Sequence, residues 1–150
     1  MLLVNITLFF VQKEAGKNFI WHSPPHMIIY NYYRREENVN NTIQYYQQNA
    51  ERFSLETRSV VFSETQNRFM NKLKSRAKIL DFGCGSGRDT KCFLAHGFQV
   101  EAIDGSEELC KIASEFTGIE VKHLLFQESA EENKYDEIWA CSSILHLPKQ

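Results

Sequence analysis

The sequence predicts an α/β fold in which a parallel β-sheet is flanked by helices. From residue 78 onward, short apolar runs suited to buried strands alternate with stretches of helical periodicity. A turn with three glycines, within KILDFGCGSGRDT at residues 78–90, joins the first of these runs to a helix-like segment. With 150 residues and 43% hydrophobic content, the chain can bury one core. Strands and helices that alternate within one core are joined by right-handed crossovers, which makes the strands parallel.

Two helices are predicted before the first strand. Asn41 or Thr42 can cap the first helix, which continues through Leu55 with apolar residues at helical spacing. The second helix is predicted from a similar spacing that begins at Phe62 and continues to Arg76. Both helices therefore precede the sheet in the chain.

The periodicity changes at residue 78, where strands begin. Lys78–Phe82 is a short apolar run typical of a buried strand, and the alternation from Phe98 to Asp104 predicts a second one. Gly97, just before it, is typical of a helix C-cap. From residue 78 onward, the prediction is four strands, 78–82, 98–104, 121–126 and 135–141, and two helices, 88–96 and 107–116.

The first 35 residues differ from the rest and are predicted to be an N-terminal extension of uncertain structure, followed by one domain at 36–150. Pro24 and Pro25 interrupt any regular element there. The apolar start, MLLVNITLFFVQ, lacks the cationic region and cleavage site of a signal peptide and is too short to span a bilayer. Three interpretations stay open: an appendage, a stray extension or a partner-binding strand.

Composition argues against several classes of partner. The formal net charge is −2 and there is no basic face, which disfavours binding to nucleic acid, and no membrane partner is expected. The four cysteines are scattered without a CxxC pair, which disfavours a zinc site or a disulfide framework, so no metal is expected. Free thiols of this kind are typical of a reducing cytoplasm, which is the expected location.

The glycine-rich turn is the first candidate ligand site. Glycine has no Cβ and tolerates positive φ, so a turn of this kind can bring backbone N–H groups close to a ligand. The N-terminal end of the following helix favours a carboxylate or phosphate. The turn therefore suggests a cofactor with an anionic end.

The spacing of the glycines indicates which cofactor to expect. Gly83, Gly85 and Gly87 form GxGxG, whereas the dinucleotide fingerprint is GxGxxG, and Arg88 stands where its third glycine would fall. Asp104 ends the second predicted strand 21 residues after Gly83, where a carboxylate can hold ribose hydroxyls. A nucleoside is implied, and a pyrophosphate is not.

Four segments together resemble the cofactor-binding half of class I S-adenosylmethionine-dependent methyltransferases, most nearly the small bacterial methyltransferase-domain proteins. These are LDFGCGSG at 80–87, VEAIDGS at 100–106, YDEIWACSSILHLP at 135–148 and YYQQNAERF at 45–53, the last similar to the helix that covers the cofactor. The resemblance implies a Rossmann-like sheet and S-adenosylmethionine as cofactor. It covers residue 41 to the end of the chain.

The resemblance also implies roles for individual residues. Asp81 would brace the glycine turn and the cofactor's amino group, Asp104 would take the ribose hydroxyls, and Gly105 would leave room for the adenine. Glu128 would face the adenine amine, and Cys141 would lie under the sulfonium at the end of the fourth strand. The full set of implied cofactor-binding residues is Asp81, Phe82, Gly83, Cys84, Gly85, Asp104, Gly105, Gln127, Glu128 and Cys141.

The implied reaction is direct transfer of a methyl group to a small-molecule acceptor. Because the cofactor is already activated, alignment of donor and acceptor is the main requirement, and no catalytic residue is assigned. The fourth strand lacks an NPPY type of motif, which argues against DNA as the acceptor. Arg88 could offset the methionine carboxylate, although backbone N–H groups of the turn are the preferred explanation.

The family's sheet has seven strands in the order 3-2-1-4-5-7-6, and only the first four are found before Gln150. The fourth strand is therefore expected to have an exposed edge through which the chain could self-associate. Three explanations stay open: a truncated copy, one half of a split or domain-swapped enzyme, or a fragment that binds the cofactor without chemistry. A nicotinamide-dependent oxidoreductase is disfavoured by the GxGxG spacing.

Overall fold

The computed structural model describes residues 8–12, 20–22, 37–128 and 134–143. Strands and helices alternate from β3 onward, which confirms the predicted α/β class. In chain order the elements are β1 (Leu8–Gln12), β2 (Ile20–His22), α1 (Glu37–Arg58), α2 (Ser63–Met70), β3 (Lys78–Phe82), α3 (Arg88–Ala95), β4 (Gln99–Asp104), α4 (Glu107–Thr117), β5 (Val121–His123), a 3-10 turn (Phe126–Glu128) and β6 (Glu137–Cys141).

The described strands form one six-stranded sheet in the order β2-β1-β6-β3-β4-β5. Strands β6, β3, β4 and β5 are parallel, as predicted, with Ile79 opposite both Val100 and Glu137. Because parallel strands end at the same edge of a sheet, the residues after β3, β4 and β6 come together there.

The fourth parallel strand, β6, was predicted to have an exposed edge, and this prediction is wrong. Strand β1 pairs with it in antiparallel orientation, with Leu8 opposite Cys141 and Val11 opposite Ile138. Strand β2 then pairs with β1, so that β2 and β5 are the outer strands. The prediction counted only strands of the strand–helix repeat, and nothing local in residues 8–12 indicates a partner about 130 positions away.

The core lies where α2 and α3 cover β3 and β6. Phe69, Ile79, Phe93 and Trp139 are almost fully buried and form one cluster, with ring centroids of Phe69 and Trp139 4.8 Å apart. Full burial of an apolar side chain of this size contributes about 1.5–3 kcal/mol. This cluster packs α2 and α3 against β3 and β6.

Small residues form a second cluster, where α4 lies against β4 and β5. Its buried members are Ala102, Cys110, Ala113 and Val121. Ser106 caps α4 by accepting a hydrogen bond from the Leu109 N–H at 3.3 Å. The cap makes α4 begin at Glu107, three residues after Asp104, which holds that carboxylate at the sheet edge.

Element boundaries differ from the prediction mainly in the helices. Helix α1 begins at Glu37 and ends at Arg58, and its backbone leaves helical geometry at Asn49 (φ −116°, ψ 15°). The Asn49 side chain donates to the Tyr45 carbonyl at 2.8 Å, a local bond that competes with the helical ladder. The second predicted helix ends at Met70 rather than Arg76, and β5 ends at His123. Of the helices described, none is long and apolar enough to cross a membrane.

Candidate functional site

A cavity of about 660 Å³ lies at the carboxyl ends of β3, β4 and β6. The glycine turn and Asp104 line one side of it, and side chains of α1, among them Tyr46 and Phe53, line the other. Ligand sites for small molecules have volumes of about 300–1,000 Å³, so a nucleoside-sized molecule fits.

The glycine turn uses its backbone N–H groups within the protein. The N–H groups of Gly83 and Cys84 both donate to the Ile103 carbonyl, at 2.9 and 3.0 Å. Gly85 N–H donates to Asp104 Oδ2 at 2.8 Å, and Gly87 N–H donates to the Cys84 carbonyl at 3.0 Å. These four groups are not free for a ligand, and backbone recognition of an anion at this turn stays a prediction.

Two of the glycines are required by close packing as well as by positive φ. A Cβ on Gly83 (φ +82°) would overlap the Ser143 side chain and lie 2.9 Å from Phe126 Cζ. A Cβ on Gly85 (φ +55°) would lie 3.3 Å from Phe53 of α1. The turn thus fills the space between the end of β6 and the helix above it.

Asp104 has unused acceptor capacity that faces the cavity. Its Oδ2 accepts from Gly85 N–H and its Oδ1 from Ser106 N–H, at 2.8 and 2.9 Å. A carboxylate has about four acceptor sites, so two remain. Burial raises the pKa of Asp104, while the backbone hydrogen bonds from Ser106 and Gly85 act against that shift. The side chain is placed to accept two further hydrogen bonds, one at each oxygen.

An apolar slot lies beside Asp104. A Cβ on Gly105 would be 3.4 Å from Leu125 Cδ2 and 3.7 Å from Ile43 Cδ1, so the glycine keeps the slot open between these two side chains. Tyr46 also lines the cavity, and burial, followed by the charge of Asp104, raises its pKa. A flat apolar ring next to a hydroxyl-bearing group would match this arrangement.

Two of the predicted binding residues do not line the cavity. Glu128 is exposed, and its Oε2 accepts from Leu125 N–H at 3.0 Å, closing the 3-10 turn on itself. The Phe82 ring stacks on Phe126 at 4.3 Å and supports it from behind. The side chain of Gln127 lies outside the described residues. The polar loop after β5 therefore contributes Leu125 and Phe126 rather than Glu128.

Beside the glycine turn, the cavity is lined by one carboxyl group and two thiols with raised pKa values. Burial, and then the charge of Asp89, raises the pKa of Asp81 to about 8, although the Thr90 hydroxyl donates to it. Burial raises the pKa of Cys141 to about 11 and that of Cys84 well above its ordinary value. At neutral pH Asp81 is mostly protonated and both thiols are unreactive.

Asp89 forms a buried network that sequence reasoning did not find. Its Oδ1 accepts from Gln66 Nε2 and Arg88 Nε, both at 2.8 Å. Its Oδ2 accepts from Arg88 Nη2 at 3.0 Å and from Trp139 Nε1 at 2.9 Å. All four acceptor sites are filled. Because a buried indole N–H needs a hydrogen-bond acceptor, Trp139 is the residue in the sequence that could have indicated this network.

Hydrogen bonds join helix α1 to the floor of the cavity at Ser106 and at Ser86. Gln47 Oε1 accepts from Ser106 Oγ at 3.0 Å, and Thr57 Oγ1 donates to Ser86 Oγ at 2.9 Å. Arg58 donates to the carbonyls of Ser86 and Ile112. The segment predicted to cover a cofactor therefore does lie over the glycine turn, although these particular contacts were not predicted.

The structure brings together residues that are far apart in the chain. Of the predicted set, seven line the cavity: Asp81, Gly83, Cys84, Gly85, Asp104, Gly105 and Cys141. Among the lining residues that the sequence did not indicate are Ile43, Leu125, Phe126, Ser142 and Ser143. All four cysteines are free thiols. Within the described ranges, no cluster of three or more His, Cys, Asp or Glu side chains could hold a metal ion.

Comparisons with known proteins point to one family. A family model described as a methyltransferase domain matches residues 54–150. Among solved structures, the chain is similar to a TehB-like SAM-dependent methyltransferase from Corynebacterium glutamicum, at 21% sequence identity and a TM-score of 0.40. That alignment covers 67% of this chain and 50% of the other, so this chain spans about half the length of that protein. No curated protein sequence matches. The family model includes the glycine turn, Asp104 and β6, which form the floor of the cavity.

Proposed function

We propose that this chain, which belongs to the methyltransferase domain family, binds S-adenosylmethionine in the cavity at the carboxyl ends of β3, β4 and β6. The observation that carries the proposal is Asp104, which keeps one acceptor site on each carboxylate oxygen beside the open slot at Gly105. A ribose presents two neighbouring hydroxyl donors, and adenine is a flat ring. The open acceptor sites of Asp104 and the slot at Gly105 together match a nucleoside.

The rest of the cavity is consistent with the same molecule. Ile43 and Leu125 would hold the adenine on either side of Gly105, and Asp104 would accept from the ribose hydroxyls. The amino-acid end would then lie toward Asp81 and Cys141, beyond the glycine turn. When bound, the cofactor supplies a methyl group already activated on a sulfonium, so the protein need only orient it and exclude water.

The acids and thiols at the Asp81 end of the cavity offer no strong general base. Asp81 is mostly protonated near neutral pH, Asp89 has every acceptor site filled, and the Cys84 and Cys141 pKa values are raised. This supports an acceptor that reacts without deprotonation by these residues. We include in the proposal that the acceptor is a small molecule, since the chain has a net charge of −2 and no basic face. The free thiols support a cytoplasmic setting.

Titration calorimetry with S-adenosylmethionine and S-adenosylhomocysteine tests the proposal. The chain should bind both, and Asp104→Ala should weaken binding by at least about tenfold, because hydrogen bonds to a charged group are lost. Glu120→Ala, which removes an exposed carboxylate outside the cavity, should bind as the original chain does. Absence of binding by the folded chain, or equal affinities of the Asp104 and Glu120 variants, would contradict the proposal.

A second variant separates loss of the site from loss of the fold. Gly105→Val places a branched side chain in the slot without removing the hydrogen bonds of Asp104 to Gly85 and Ser106. It should fold and bind at least about tenfold more weakly. A chain that binds the cofactor but transfers no labelled methyl group to any small molecule of a cell extract would support cofactor binding without chemistry.

A further inference from the structure

We propose that the mouth of the cavity at the end of α1 receives the apolar body of the methyl acceptor, and that Val60 is the residue that selects it. The acceptor is then an uncharged small molecule with an aromatic or aliphatic body. The inference rests on the proposed function and names its substrate class, which membership of the methyltransferase domain family leaves open.

Helix α1 runs along the cavity and continues beyond the end that would hold a nucleoside. Ile43 lies at the Gly105 slot, whereas Thr57 and Val60 line the cavity near the other end of the helix. Because a helix rises about 1.5 Å per residue, Thr57 is about 20 Å further along α1 than Ile43. The nucleoside features lie at the first end, so the wall at Val60 stays open to a second molecule.

Val60 belongs both to the cavity and to the surface. It lines the cavity and is 43% exposed, so it stands at the mouth. Its N–H donates to the Thr57 carbonyl at 3.2 Å, which holds it in the turn that follows α1. The next residue, Val61, is 86% exposed and does not line the cavity. A ligand with an apolar body would remove the exposed surface of Val60 from water, which favours binding.

The polar side chains of the same wall already have partners. The Thr57 hydroxyl is hydrogen-bonded to the Phe53 carbonyl at 2.7 Å and to Ser86 Oγ at 2.9 Å. Glu56 Oε1 pairs with Arg52 Nε at 3.1 Å. The α1 wall therefore presents mainly the Val60 side chain and the Phe53 ring to a molecule at the mouth.

The surface around the mouth favours a small molecule over a membrane or a protein partner. Helices that bind membrane surfaces are rich in Lys and Arg, but here acidic residues outnumber basic ones. A protein interface takes about 20–30 residues a side, far more than the exposed apolar residues at this end of α1. The ionisable residues from the last two turns of α1 to the first turn of α2 are Glu51, Arg52, Glu56, Arg58 and Glu64, and the exposed apolar ones are Leu55, Val60 and Val61.

A charged acceptor is also disfavoured at the mouth. Glu56 is the acidic residue of α1 that lines the cavity, but its side chain is 64% exposed and paired with Arg52. Water and the arginine both screen its charge, so its attraction for a cation is weak. An uncharged acceptor that binds through its apolar body matches the mouth best.

The experiment uses three probes that share one apolar body and differ in charge. Naphthol is neutral, naphthylmethylamine is a cation and naphthoate is an anion near neutral pH. Each is titrated by calorimetry into the full chain saturated with S-adenosylhomocysteine. Naphthol should bind, and neither charged probe should bind more tightly than naphthol does.

Variants at two neighbouring valines show whether Val60 is the contact. Val60→Ser should weaken naphthol binding by about threefold to tenfold, because two methyl groups are lost from the contact. Val60→Leu, which stays apolar, should keep it. Val61→Ser is the matched control, since Val61 is more exposed but does not line the cavity, and it should bind naphthol as the original chain does. S-adenosylhomocysteine affinity should be the same in all four chains, which also shows that the variants fold.

Four results would overturn the inference. The first is that naphthol does not bind the complex, and the second is equal affinity of Val60→Ser and Val61→Ser for it. The third is displacement of S-adenosylhomocysteine by naphthol, which would place naphthol in the cofactor's slot. The fourth is tighter binding of the amine that is lost in Glu56→Gln, which would mean that the mouth selects a cation. If the original chain does not bind S-adenosylhomocysteine, the proposed function itself fails, a result distinct from these four.

Discussion

The close packing of Gly83 makes a quantitative prediction about stability. In Gly83→Ala, the new Cβ would overlap Ser143 Cβ and lie 2.9 Å from Phe126 Cζ. Neither neighbour can yield easily, because the Ser143 hydroxyl donates to the Phe82 carbonyl and the Phe126 ring stacks on Phe82. The substitution therefore adds a steric cost to the cost of a left-handed alanine.

Gly97→Ala is a matched control that isolates the steric cost. Both glycines have φ +82°, but nothing lies within 4 Å of a Cβ on Gly97. The left-handed backbone should cost about 1–2 kcal/mol at either position. Overpacking adds about 1–3 kcal/mol at Gly83 alone. Gly83→Ala should thus lower the free energy of unfolding by about 2–5 kcal/mol, and Gly97→Ala by about 1–2 kcal/mol.

Urea unfolding of the two variants and the original chain measures this difference. The m-values should stay equal, so that the midpoints report stability directly. Equal destabilisation by the two substitutions would refute the packing of the turn against Ser143 and Phe126. S-adenosylhomocysteine binding should be kept in Gly97→Ala and weakened in Gly83→Ala, because Gly83 lines the cavity and Gly97 does not.

Three further predictions concern other parts of the fold. Trp139→Phe keeps the aromatic packing but removes a hydrogen-bond donor to buried Asp89. Urea unfolding should show a free energy of unfolding lower by about 1.5–3 kcal/mol, and no change would contradict the Asp89 network. Burial raises the pKa of Asp81 to about 8, so the folded state holds a proton that the unfolded state releases above about pH 4. The free energy of unfolding should therefore fall as pH rises from about 4 to about 8, by at most about 1.4 kcal/mol per pH unit. In Asp81→Asn the free energy of unfolding should fall less between pH 5 and pH 8. An identical pH dependence in the two chains would contradict a raised pKa for Asp81. Deletion of residues 1–12 removes β1 from the edge of β6 and should produce dimers or aggregates in size-exclusion chromatography, whereas a monodisperse monomer would show that β1 does not protect that edge.

The parallel part of the fold could be predicted because its signals are local. The apolar run at Lys78–Phe82, bounded by the glycine turn, gives a strand with its observed limits. Asp104 could be assigned to the site because carboxyl ends of neighbouring parallel strands meet at one edge. The third strand was predicted too long, since residues 126–128 form a turn that Glu128 closes on the Leu125 N–H.

The remainder depends on contacts between distant residues, which no local pattern encodes. Trp139 and Asp89 are 50 positions apart, yet a buried hydrogen bond of 2.9 Å joins them. The pairing of β1 with β6 is more distant still, and its antiparallel direction does not follow from the strand–helix repeat. The glycine turn lines the cavity, but the glycine pattern did not indicate that the N–H groups of Gly83, Cys84, Gly85 and Gly87 donate to acceptors within the protein.

The most direct test of cofactor binding is a crystal structure of the chain grown with saturating S-adenosylhomocysteine. Adenine should lie between Ile43 and Leu125 at Gly105, with both ribose hydroxyls on Asp104 and the amino-acid end beyond the glycine turn toward Asp81. Ligand density at another place, or a cavity without ligand at saturation, would contradict the central claim.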